Sequence, residues 1–125
     1  MTTRPSLTVT GTNIGAPDAN ALADFYRRLL GYETRIEEPG WVVLRPPGGG
    51  HTLNFQAEED YVPPAWPGGP GDQQMQLHLE IAVDDLEAGV AHAVAQGATL
   101  AGFQPQDHVR ICLDPAGHPF CLFLR

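Results

Sequence analysis

The sequence predicts an α+β fold in which two tandem β-α-β-β-β modules form a curved eight-stranded mixed sheet with a concave pocket. Three observations predict it. Two segments with helix punctuation, Asp18 to Gly31 and Asp84 to Gly97, have the same length. One strand-like segment precedes each of them and three follow. Between the halves, Glu58 to Gln74 is rich in proline and glycine and suits a linker or a loop over a pocket mouth. The whole chain, 1–125, is expected to be one domain, with module one at about 6–57, the linker at about 58–74 and module two at about 75–125.

Residues 7–14 supply the first strand. Asp18 then caps a helix whose apolar stripe is Leu22, Phe25, Tyr26, Leu29 and Leu30, and Gly31 ends it. Strands are expected at 32–37, 40–46 and 51–57. Residues 75–83 alternate cleanly, with Leu77, Leu79, Ile81 and Val83 on one face and His78, Glu80 and Ala82 on the other. Asp84 is placed to cap the second helix, with Glu87 completing a capping box, Leu86, Val90 and Val94 as its stripe and Gly97 as its end. Strands at 98–104, 107–113 and 118–124 follow, the last two as a hairpin through Asp114-Pro115-Ala116-Gly117. One register of that hairpin sets Cys112 opposite Cys121 and the next does not.

Composition narrows the function. Hydrophobic residues make up 42% of the chain and charged residues 18%, as in a globular domain. The formal net charge of -8 argues against nucleic acid or an anionic membrane as a partner. No apolar run is long enough to span a bilayer, and the first residues lack the apolar stretch of a secretory signal. Cys112 and Cys121 read as buried free thiols, and the cytoplasm is the expected compartment.

Several residues are candidates for chemistry. His78 and Glu80 project from one strand face and can act as general acid and base, or form a structural pair. Cys121 is a ligand, a nucleophile or a small buried hydrophobe. Trp41, Asn54 and Gln56 belong to first-module strands that should line the hollow, and Arg110 can meet an anionic ligand or a surface carboxylate. His118 leaves the turn and orders it. Tyr61 and Trp66 either gate the pocket or pin the linker to the sheet. His51, after Gly48-Gly49-Gly50, sits in a hairpin loop that is not a phosphate cradle.

Taken together, Pro17-Asp18, Phe25-Tyr26, Leu29-Leu30-Gly31-Tyr32, His78-Leu79-Glu80, Asp84-Asp85-Leu86 and Gly117-His118-Pro119-Phe120-Cys121 resemble the vicinal oxygen chelate superfamily, which includes glyoxalases, bleomycin resistance proteins and extradiol dioxygenases. The resemblance covers nearly the whole chain and implies the glyoxalase/bleomycin resistance fold and a homodimer. Its metal-using members place four ligands, two per module, on the concave face. The matching places here are Gly11, seven residues before Asp18; Gln56; His78, seven residues before Asp85; and Cys121. A divalent metal (zinc, nickel, manganese or iron) is therefore not favoured, because Gly11 removes one donor. The favoured expectation is a small-molecule binding protein that sequesters an antibiotic or a metabolite without the full metal site, with Trp41, Asn54, Gln56, His78, Arg110 and Cys121 around the ligand. The alternatives are a lyase, isomerase or epimerase using His78 and Glu80, with or without a metal, and a degenerate module kept as a structural partner.

Overall fold

In the computed structural model, which describes residues 3–125, the elements run β1 (Gly11–Ala16), α1 (Ala19–Leu30), β2 (Glu33–Glu38), β3 (Trp41–Arg45), β4 (Thr52–Ala57), β5 (Leu79–Val83), α2 (Leu86–Gln96), β6 (Thr99–Leu100), β7 (Val109–Leu113) and β8 (Pro119–Leu124). The unit is repeated as expected. The eight strands fall into two four-stranded mixed sheets, ordered β1-β4-β3-β2 and β5-β8-β7-β6. In each, the first strand of the module pairs in parallel with the last. β1 and β5 are therefore edge strands of their sheets, with β2 and β6 at the opposite edges.

Asp18 caps α1 by accepting from the Ala21 amide, and Gly31 closes it at φ 70. The second cap is Asp85, not Asp84: its carboxylate accepts from the Ala88 amide, so no capping box with Glu87 forms. Moving the cap by one residue makes α2 one residue shorter than α1.

Three predicted strands are shorter than their apolar alternation suggests, each for a hydrogen-bonding reason. Of residues 7–14, only those from Gly11 on are strand, since 3–10 lie beyond the reach of β4 apart from the Thr10 carbonyl, which accepts from Thr52 N. Alternation over 75–83 outruns its partner: β8 begins at Pro119, which has no N–H to donate, and β5 starts at Leu79, opposite Phe120. Strand 98–104 ends at Leu100 because the Gln104 side chain replaces the main chain there. Its amide donates to the Ala101 and Ile111 carbonyls and accepts from Ile111 N.

The core lies between the helices and the sheets. Phe25 and Tyr26 of α1, Phe55 of β4 and Phe120 of β8 are fully buried and pack as one aromatic cluster, with Tyr26 and Phe55 stacked at 5.5 Å. α1 thus seats on both modules. Where the helices end, the Arg28 guanidinium donates to the Gln96 carbonyl at 2.9 Å, a cation on the negative end of α2.

Candidate functional site

Pairing partners point to the same side of a sheet, so register assigns each candidate to a face. In sheet one, Gly11, Asn13 and Gly15 of β1 stand opposite Thr52, Asn54 and Gln56 of β4, and Trp41 of β3 stands opposite Gln56. Trp41, Asn54 and Gln56 therefore share the face away from α1, as the alternation predicts. Their polar atoms are mutually engaged. Thr52 Oγ1 donates to Asn54, Asn54 to Asn13, Asn13 to Gln56, and the Gln56 amide to Glu58. Each amide gives one hydrogen bond and takes one, so the side chains are tied in series from Thr52 to Glu58.

The two glycines of β1 make room for this network. A Cβ on Gly11 would lie 2.3 Å from Thr52 Oγ1, and one on Gly15 would lie 2.6 Å from Glu58 Cγ. Side chains from the neighbouring segments occupy the volume that larger residues on β1 would need.

In sheet two, Glu80 pairs in register with Cys121, and His78 lies two residues before Glu80 on the same face. His78 Nε2 is 3.5 Å from Glu80 Oε1, and one ligating atom from each of His78, Glu80 and Cys121 lies within 4.8 Å of the others. Cys121 is buried, and burial together with the neighbouring Glu80 carboxylate pushes its thiol up to about 11. Uncoordinated, it is a neutral thiol at neutral pH and no nucleophile. Cys112 stands opposite Phe120 and Ile111 opposite Cys121, so the two free thiols lie on opposite faces.

Arg110 stands apart from these candidates. It pairs with Leu122, on the side of the sheet opposite Cys121, and its guanidinium donates to the carbonyls of Gln106, Asp107 and Val109. Gln56 belongs to the amide chain of sheet one. Of the residues considered from sequence, His78, Glu80 and Cys121 are brought together.

A cavity of about 670 Å³ lies between the modules, walled by the outer edge of β1, the linker and residues 73–79. His78 lines it, as do Asn13, Glu58, Asp60, Tyr61 and His118; Trp41, Asn54, Gln56, Glu80 and Cys121 do not. The linker aromatics are both anchored to module two. Tyr61 donates to the Ala116 carbonyl at 2.8 Å and lies against His118, while the Trp66 ring lies 4.8 Å from that of His78. Burial pushes the Tyr61 hydroxyl up to about 12, helped by the Asp114 charge.

Beneath the cavity, Asp114 ties the modules together. Its carboxylate accepts from the Tyr26 hydroxyl at 2.7 Å and from the amides of Ala116 and His118, and His118 Nε2 meets the Gly15 carbonyl at 2.7 Å. Burial raises the Asp114 carboxyl above its usual range, with the Tyr26 hydrogen bond acting the other way. Burial and the Asp114 charge hold the Tyr26 hydroxyl well above its usual value. Sequence reasoning missed Glu58, Tyr26 and Asp114 as site residues. Glu58 continues the alternation of Thr52, Asn54 and Gln56; the meeting of Tyr26 and Asp114, 88 residues apart, has no local signal.

The glyoxalase-like domain family matches residues 11–123. The chain belongs to that family. The glyoxalase-like fold also recurs in solved structures that share low sequence identity with it. A glyoxalase/bleomycin resistance protein/dioxygenase family enzyme from Burkholderia phytofirmans PsJN aligns at TM-score 0.72 and 20% identity, covering 94% of this chain and 98% of that one. TnmS3, an antibiotic binding protein from Streptomyces sp. CB03234, aligns at 0.65 and 21%, covering 98% of both. Lactoylglutathione lyase from Agrobacterium tumefaciens aligns at 0.61 and 18%, covering 97% and 96%. No curated protein matches. The family match sets the chain within the vicinal oxygen chelate superfamily, and the solved structures share its fold.

The four ligand places implied by that superfamily do not fit a resident octahedral metal here. Gly11 offers no donor and Thr52 fills the space beside it. Gln56 spends its oxygen on Asn13 and its nitrogen on Glu58. Among the described residues no helix is long and apolar enough to cross a membrane.

Proposed function

We propose that this glyoxalase-like protein binds a small organic molecule in the cavity between its modules and holds it without converting it, as a sequestering protein for an antibiotic or a metabolite. The observation that carries the reading is the cavity itself. Its volume of about 670 Å³ suits a drug-sized ligand. Ile14, Tyr61, Val62, Met75, Leu77 and Leu79 supply apolar surface, and Asn13, the glutamines of 73–76 and His78 supply convergent polar groups. Among the described residues its wall holds the carboxylates of Glu58 and Asp60 and neither lysine nor arginine. Such a wall favours neutral or cationic ligands and repels anionic ones.

The test is a fluorescence titration, in the presence of a chelator, against a panel of antibiotics and carbonyl metabolites. One member binds at one equivalent, perturbs Trp66 emission and is recovered unchanged. Conversion of the bound compound, lost in His78→Ala, would overturn the reading in favour of a lyase or isomerase. That second reading rests on the 3.5 Å approach of His78 Nε2 to Glu80 Oε1, an acid–base pair of which His78 lines the cavity and Glu80 stands behind it. The same proposal sets the protein in the cytoplasm as a homodimer. The free thiols Cys112 and Cys121 suit a reducing compartment, and the exposed side chains of Leu7, Val9 and Leu77 offer apolar surface to a second copy. Light scattering at micromolar concentration reads the mass directly.

A further inference from the structure

We propose that module two by itself carries a soft-metal site, in which His78 Nε2, a Glu80 carboxylate oxygen and Cys121 Sγ hold a zinc-class divalent cation with water completing a tetrahedron and no donor from module one. The proposal is independent of whether the cavity binds an organic ligand.

Backbone geometry sets the three donors together. Glu80 and Cys121 are direct cross-strand neighbours in the parallel β5–β8 pair, and His78 precedes Glu80 on the same face. Their ligating atoms lie within 4.8 Å of one another, with His78 and Glu80 already at 3.5 Å. Zinc bonds of about 2.0–2.3 Å place tetrahedral neighbours about 3.3–3.8 Å apart. Closing on an ion therefore takes side-chain movements of about 1 Å and no change of register. Trp66 lies over the His78 ring at an interplanar angle of 33° and limits its rotation.

The donor set chooses the class of ion. One thiolate, one imidazole and one carboxylate suit zinc and its cobalt surrogate, not the all-oxygen preference of magnesium or calcium. Three protein donors leave a fourth position open to water. The distribution of donors differs from the two-per-module pattern of the superfamily. Module one contributes nothing, because Gly11 has no side chain and the Gln56 amide is bonded at both ends. Glu80, which is outside that pattern, supplies the missing donor from the same strand as His78.

Cobalt(II) titration of the full reduced chain tests the site. The expected result is one equivalent bound, with a thiolate-to-cobalt charge-transfer band in the near ultraviolet and intense tetrahedral visible bands, both bleached by zinc. Cys121→Ser removes the charge-transfer band, and Glu80→Gln lowers affinity by about tenfold or more. Gln56→Ala and Cys112→Ser leave band and affinity unchanged. Glu80 is largely exposed, so its variant keeps the test valid if substitution of buried Cys121 disturbs folding. A weak octahedral spectrum, absence of the charge-transfer band in the folded wild type, or loss of binding in Gln56→Ala overturns the proposal.

Discussion

Counted from their caps, the two helices hold different residues at matching places. Four residues after Asp18 stands Leu22, and eight after stands Tyr26; four after Asp85 stands Gly89, and eight after stands Ala93. α1 buries five side chains, α2 only Ala93. α1 drives large groups between the two sheets, whereas α2 comes so close to its own sheet that a Cβ on Gly89 would meet Val83 Cγ1 at 3.1 Å. The opposite faces of the sheets divide in the same way. Module one carries a hydrogen-bonded chain of amides, and module two carries a histidine, a carboxylate and a thiol. One backbone plan thus serves two ends: module one anchors, and module two keeps the titratable chemistry.

The contrast breaks hardest at Tyr26. Tyr26→Ala removes a fully buried ring and strands the Asp114 carboxylate, for an expected loss of about 3–5 kcal/mol in urea unfolding. Val90→Ala, on the half-buried stripe of α2, should cost well under half as much. Filling the close approach of α2 is the converse experiment: Gly89→Leu is expected to destabilise by about 1–3 kcal/mol through overpacking. If it did not, the seating of α2 on small residues would be incidental. At the helix start, Asp85→Ala should cost about 1 kcal/mol and Asp84→Ala less than about 0.5 kcal/mol, which separates the two candidate caps by thermal unfolding.

The smallest effect lies on the alkaline side. Tyr61 in the folded chain is raised from its usual value near 10 to about 12, so its contribution is complete below about pH 10 and is lost as pH rises toward 12. Tyr26 acts in the same direction. The urea midpoint should fall over that window, and Tyr61→Phe should flatten part of the fall.

Local signals carried much of this structure, and their failures share a cause. Asp18, Gly31 and Gly97 act within one helical turn, and their roles are legible where they stand. Asp84 and Asp85 compete for one cap, and only the hydrogen bond to Ala88 decides between them. Leu77 continues a perfect alternation and is nevertheless 81% exposed, because the strand that should pair with it begins at a proline. Arg110 turns on the hairpin register: Ile111, not Cys112, faces Cys121, and that places Arg110 on the other side. Of the site, the shared face of His78 and Glu80 was readable from spacing alone. The arrival of Cys121 beside them rests on the β5–β8 pairing, and the departure of Gln56 rests on Asn13 and Glu58, each contributed by a different segment.

The Thr52 hydroxyl, 2.3 Å from where a β-carbon on residue 11 would stand, has a consequence for redesign. A histidine grafted at position 11 meets Thr52 and Asn54 at once, so the graft calls for a companion substitution that clears the space at 52. A ligand set spanning both halves is therefore a paired redesign, of which residue 11 is only one member.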